Sequence, residues 1–209
     1  MKTKRRILRI TQTAMLLGLT VAAQYYLAGV FSFNTYLSQL VVGSLVNMFL
    51  ILSVLMCGFW SGFSIAFITP FISFAIGRMP HFWMIPFVAF ANIAIIFVFW
   101  IICNKKIFGS SGSFAINWAV ASVFGALAKF IILWLGVTKI FINFILINDS
   151  ALKAPQISKM TSVISFNYSF PQLATALIGC ILVYTIYPVI RKAINDENSN
   201  DKIKINAKN

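Results

Sequence analysis

Carboxylates are nearly missing from this chain. The four acidic residues are Asp149, Asp196, Glu197 and Asp201, so Met1 to Asn148 contains none. A soluble domain spreads such groups over its surface, and a proton-coupled carrier usually relays protons through an intramembrane carboxylate. Both readings therefore lose their usual residues. Histidine is equally scarce: His81 stands alone beside Pro80, too isolated for a metal site or for the base of an intramembrane protease. The three cysteines, Cys57, Cys103 and Cys180, form no CxxC pair and fall in or at the end of apolar runs, where they act as small buried hydrophobes. No phosphate-cradling GxxxxGK[ST] occurs, so the chain does not hydrolyse ATP itself. Gly58-Phe59-Trp60-Ser61-Gly62 lacks the spacing and the base of a nucleophile elbow and reads as turn and packing. No catalysis, metal or cofactor is expected.

What is present is apolar. Hydrophobic residues make up 60% and charged residues 10% of the 209, and mean hydropathy is +0.89. Water cannot be the only solvent of such a chain. Runs near the bilayer requirement of about twenty residues extend over Ile7 to Gly29, Leu40 to Cys57, Phe59 to Gly77, Met84 to Cys103, Phe114 to Leu135 and Phe166 to Ile190. The expected fold is an all-α integral membrane protein, a bundle of about six transmembrane helices over 1–194, with a polar cytoplasmic tail at 195–209 that lacks regular structure. The apolar run after the basic N-terminus continues too far, and lacks the small-residue cleavage site, for a cleaved signal peptide. Cys57-Gly58-Phe59 is so short that the second and third spans must form a tight hairpin, whereas Gly136 to Ser165 has room for a further helix.

The net charge of +13 is placed beside the spans, at Lys2, Lys4, Arg5, Arg6, Arg9, Lys105, Lys106, Arg191, Lys192 and in the tail. This is the pattern of cations that stay in the cytoplasm and meet anionic membrane lipid, and it argues against nucleic acid as a partner. With six spans, both termini lie in the cytoplasm of a multi-pass cell-membrane protein.

Two constellations remain. Ala14, Gly18 and Ala22 recur every four residues on one face of the first helix, where small side chains let another backbone approach closely in lipid. The face suits either a helix of the same chain or a separate partner. The second constellation is polar. In the expected orientation Gln39, Asn47, Arg78, Trp83, Asn92, Lys129, Asn167 and Gln172 gather toward the outer side, while the inner halves hold chiefly Gln12 and Asn117. Polar groups are costly in hydrocarbon and face a cavity or one another, so the cluster reads as an outward-facing substrate-binding pocket. Lys129 has a competing reading as a cation snorkelling to the outer headgroups, Trp83 as an interfacial anchor, and the amides as interhelical hydrogen-bond partners. His81 reads as a loop residue without special chemistry.

At this point the chain resembles a substrate-binding S component of an energy-coupling factor (ECF) transporter. The resemblance rests on its size, span number and basic N-terminus, on the Ala14-xxx-Gly18-xxx-Ala22 face, and on Gly43-Ser44-Leu45-Val46-Asn47, Thr69-Pro70-Phe71 and the stretch from Pro171 to Gly179. Gly18 stands where the family's AxxxA motif usually has alanine. The resemblance implies capture of a small-molecule substrate, a vitamin or other micronutrient, and docking of the first-helix face on a transmembrane coupling subunit driven by two cytoplasmic ATPases. The metal-specific members' N-terminal Met-His arrangement is absent, which argues against nickel or cobalt. Lys129 and Arg78, without carboxylates to neutralise them, favour an anionic substrate. The competing function is a self-sufficient small-solute carrier or channel.

Overall fold

The structure, a computed structural model, describes residues 2–31, 33–105, 114–149 and 152–206. Lys106 of the basic pair and 207–209 of the tail lie outside them. Regular structure among the described residues is entirely helical. α1 (Lys2–Ala22) continues through a π-helical stretch, Ala23–Leu27, into the short α2 (Ala28–Val30). α3 (Thr35–Cys57), α4 (Phe59–Ala75), α5 (Ile85–Lys105) and α6 (Phe114–Leu133) follow, and α6 runs on as a π-helical stretch, Trp134–Leu146. α7 (Ala154–Asn167) and α8 (Phe170–Asn206) complete the chain.

Five stretches are long and apolar enough to cross a bilayer: Arg6–Leu27, Tyr36–Cys57, Phe82–Cys103, Phe114–Leu146 and Ala154–Ile194. The shorter apolar helix Phe59–Ala75 has 17 residues, a length of about 25 Å at the lower end of what a span needs. The chain is thus an all-α membrane bundle, with three departures from the sequence pattern. The fifth span does not stop near Leu135: the chain stays helical to Leu146. The long connection does carry a helix, α7, which ends at Asn167, so Phe166 belongs to it and the last helix starts at Phe170. The tail is helical through Asn206, joined to α8 without a break.

Local chemistry explains the turns. Asn34 caps α3, its Oδ1 accepting from Tyr36 N at 3.0 Å and Leu37 N at 3.1 Å. Gly58 ends α3 and opens α4 at φ +95, a conformation that side chains resist, so glycine is what makes the hairpin tight. Pro70 inside α4 has no N–H to offer the Ala66 carbonyl, which loosens the ladder where α4 meets the cavity described below.

Two apolar cores result. The larger joins α3, α4, α5, α6 and α8 around Leu50, Ile51, Ile65, Ile96 and Phe99. The smaller packs the π-helical stretch after α6 and α7 against Met79, Met84 and Ile85. Between the two lies the polar cavity. α3 and α8 approach unusually closely: a Cβ on Gly179 would fall 2.7 Å from Asn47 Cβ and 2.9 Å from the Ser44 carbonyl oxygen, and one on Gly43 would fall 2.9 Å from Thr175 Cγ2. These two glycines set the distance at which polar side chains from the two helices can meet.

Candidate functional site

The cavity has a volume of about 480 Å³ and opens at the end of the bundle opposite both termini. Its floor is Lys129, from the C-terminal half of α6 and only 4% exposed. The ammonium donates to Asn47 Oδ1 at 2.6 Å and to Asn92 Oδ1 at 2.8 Å. A hydrogen-bond relay orients the first amide. The Thr175 hydroxyl donates to the Gln172 carbonyl at 3.0 Å, so its oxygen accepts from Asn47 Nδ2 at 3.4 Å and Oδ1 is left to face the lysine. Three helices thereby converge on one cation, and the side chain does not extend to the headgroups. An ammonium has three donors. Two of them meet neutral amides here, and among the described residues no carboxylate lines the cavity.

The mouth is built from connections. Arg78, half-buried just past α4, donates from a guanidinium nitrogen to the Gln24 carbonyl at 3.3 Å, tying the end of α4 to the π-helical stretch after α1. Burial pulls its pKa below the ordinary arginine value, and Tyr168 offsets part of that pull. Gln39 Nε2 donates to the Asn167 carbonyl at 2.6 Å and Gln172 Nε2 donates to the same oxygen at 3.3 Å, so Asn167 uses its backbone in these bonds. Of the eight polar residues singled out in the sequence, seven line this one cavity: Gln39, Asn47, Arg78, Asn92, Lys129, Asn167 and Gln172. Trp83 does not. It is 56% exposed and packs edge-on against Phe82, as an interfacial aromatic would.

Sequence reasoning missed Gln24. It lines the cavity, is 5% exposed, and its Oε1 has no hydrogen-bond partner. A signal was available. Leu16, Thr20 and Gln24 repeat every four residues about 200° around the helix from Ala14, Gly18 and Ala22, so an outward small-residue face places Gln24 inside. His81 lies in the connection after α4. Its Nε2 lies 3.3 Å from Asp149 Oδ2, which joins the connection after α4 to the one before α7. No group of His, Cys, Asp and Glu able to hold a metal occurs among the described residues.

The small face of α1 points away from the bundle. Leu16, Thr20, Ala23 and Gln24 are buried, whereas Ala14 and Gly18 are exposed and Ala22 is half-buried. A Cβ on Gly18 would meet nothing within 4 Å. Together with Tyr25 and Tyr26 these small residues line an open groove on the outside of the molecule.

The profile of the ECF transporter substrate-specific component matches residues 8–191, nearly the whole chain. The chain belongs to that family. It is a substrate-binding subunit of ECF transporters, and the family is one of transport subunits rather than enzymes. No curated protein and no solved structure matches it. In an S component, a polar cavity at one end of an apolar bundle and an open small-residue groove on its first helix are two distinct surfaces, one suited to a solute and the other to a helix.

Proposed function

We propose that this S component captures a small anionic solute, a vitamin or related micronutrient, at the outer face of the cell membrane and delivers it inward with a separate coupling subunit and two ATPases. The observation that carries the reading is the Lys129 ammonium, enclosed among α3, α5 and α6 and held by two neutral amides. Desolvating a cation is costly unless an anion or several acceptors compensate it. The amides compensate in part, and a ligand carboxylate or phosphate on the remaining donor completes the shell with a charge-assisted hydrogen bond of about 1.5–3 kcal/mol. Arg78 adds positive potential at the mouth, and Gln24 Oε1 gives the ligand an acceptor for an N–H or O–H.

The outward orientation of the cavity follows from the basic residues at the opposite end, Arg6, Arg9, Arg191 and Lys192, which belong on the cytoplasmic side together with both termini. The Ala14, Gly18 and Ala22 groove is the docking surface for the coupling subunit, since the chain itself leaves it open. Membranes carrying this chain alone should bind the solute without accumulating it, and accumulation should appear when the coupling module is added. Accumulation by the chain alone would replace this reading with that of a self-sufficient carrier. Cysteine labelling from outside intact cells, on a background lacking the native cysteines, should fail at position 4; labelling there would reverse the topology.

A further inference from the structure

A second concave surface lies at the far end of the bundle from the cavity. α1 and α8 both pack on α3 but barely touch each other, and at the terminus-bearing end this leaves a groove of about 230 Å³ between them. Its polar lining is Arg9 and Gln12 from α1 and Arg191 from α8, and its apolar lining includes Leu55 and Met56 of α3 and Ile190 of α8. Among the described residues, none that lines it is a carboxylate. Gln12 Oε1 is engaged by the Cys57 thiol at 3.7 Å, which leaves the amide nitrogen as a donor.

The level of the groove in the membrane is marked by aromatics. Tyr187, which lines it, stacks with Phe114 and Trp118 at ring separations of 6.4 Å. On the other side of the bundle Phe59 packs with Trp60 at 5.8 Å and with Trp100 at 5.3 Å. Amphipathic aromatics gather at the headgroup plane, so these clusters place that plane at the groove. Ile7, Leu8 and Ile10 are exposed beside it.

We propose that this groove holds the headgroup and first acyl methylenes of an anionic glycerophospholipid. Two guanidiniums share one concave surface with no counter-charge among the described residues that line it, and a phosphodiester meets both with paired hydrogen bonds. Gln12 can donate to a glycerol oxygen, while Leu55, Met56 and Ile190 offer the apolar wall that a free phosphate has no use for. A zwitterionic lipid presents the same phosphate with a cation attached, which the two arginines oppose. The site uses none of the cavity residues and stands whatever solute the cavity takes.

Native mass spectrometry of the purified full chain tests this, with delipidated protein offered phosphatidylglycerol or phosphatidylcholine of the same acyl chains. Phosphatidylglycerol should be retained selectively, and the double variant Arg9→Gln, Arg191→Gln should retain it about thirtyfold less, from about 1 kcal/mol per surface cation. Both side chains are exposed, so the variant should fold, which an unchanged melting temperature will verify. The control Lys139→Gln, Lys159→Gln, at the other end, should retain the lipid as the parent does. Equal retention of the two lipids, or equal loss in the control, would overturn the proposal. Displacement by inorganic phosphate at matching concentration would make the groove a free-anion site instead. If the double variant keeps the lipid but no longer co-purifies with a coupling subunit, the arginines belong to that partner's acidic surface and the lipid site is refuted.

Discussion

The two faces of the first helix and its π-helical extension present opposite solutions to the same solvent. On the inner face Thr20 and Gln24 are buried among polar and apolar neighbours, and Gln24 reaches a cavity whose cation is already held by amides from two other helices. On the outer face Ala14 is exposed, and a Cβ on Gly18 would meet nothing within 4 Å. Hydrocarbon exposes the difference. A polar group in lipid must be satisfied, so the chain satisfies most of its own and encloses the rest, whereas a small apolar face can wait in lipid for a partner at little cost. One face therefore meets its neighbours within the subunit, and the other is left open by it.

That contrast can be broken at either face. The largest effect is expected from Gly18→Leu, which should abolish coupled uptake and assembly while solute binding stays within about twofold and the melting temperature does not fall. The position is open in the subunit, and leucine is the better helix former by about 1 kcal/mol. Lost binding with normal assembly would reassign the face to the cavity. Next is Lys129→Met, which should weaken solute binding by about tenfold to a hundredfold, from the loss of a charge-assisted bond, with assembly unchanged. Isothermal titration with the solute found by a ligand screen checks it, and unchanged affinity would remove the cation from the binding role.

Gly179→Ala should couple packing to the site. Its new Cβ has backbone of α3 within 3.1 Å, so the helices must separate, at about 1–3 kcal/mol in thermal stability, and solute affinity should fall because Asn47 moves with α3. A variant as stable as the parent would show that the close approach is slack. The smallest effect is expected from Trp83→Ala, which should change solute affinity by less than about twofold because the ring lies outside the cavity. A large loss would mean that Trp83 folds over the mouth when solute is bound.

Much of this was legible in order of residues. Long apolar runs with basic flanks fix a membrane bundle, because hydrocarbon admits only self-satisfied helices, and counting from the span ends groups the amides of α3, α5 and α8, which line one cavity. The boundaries were less legible: Trp134–Leu146 and the tail to Asn206 are helical because they continue helices already nucleated, a propagation effect that composition does not report. Nor could composition tell an anchor from a ligand contact at Trp83, since both want an aromatic near the interface.

By itself the sequence determined solvent, span order and the absence of carboxylates from Met1 to Asn148, since these depend only on which residues occur and how far apart they stand. The tertiary structure alone decided that Lys129 turns inward to Asn47 and Asn92 instead of outward to headgroups, that Gln24 joins the cavity, and that His81 meets Asp149. Helical spacing assigns a residue to a face, but which face meets a neighbour is set by how closely the helices pack. Here that distance is set by Gly43 and Gly179, where a missing side chain brings α3 within hydrogen-bonding reach of α8.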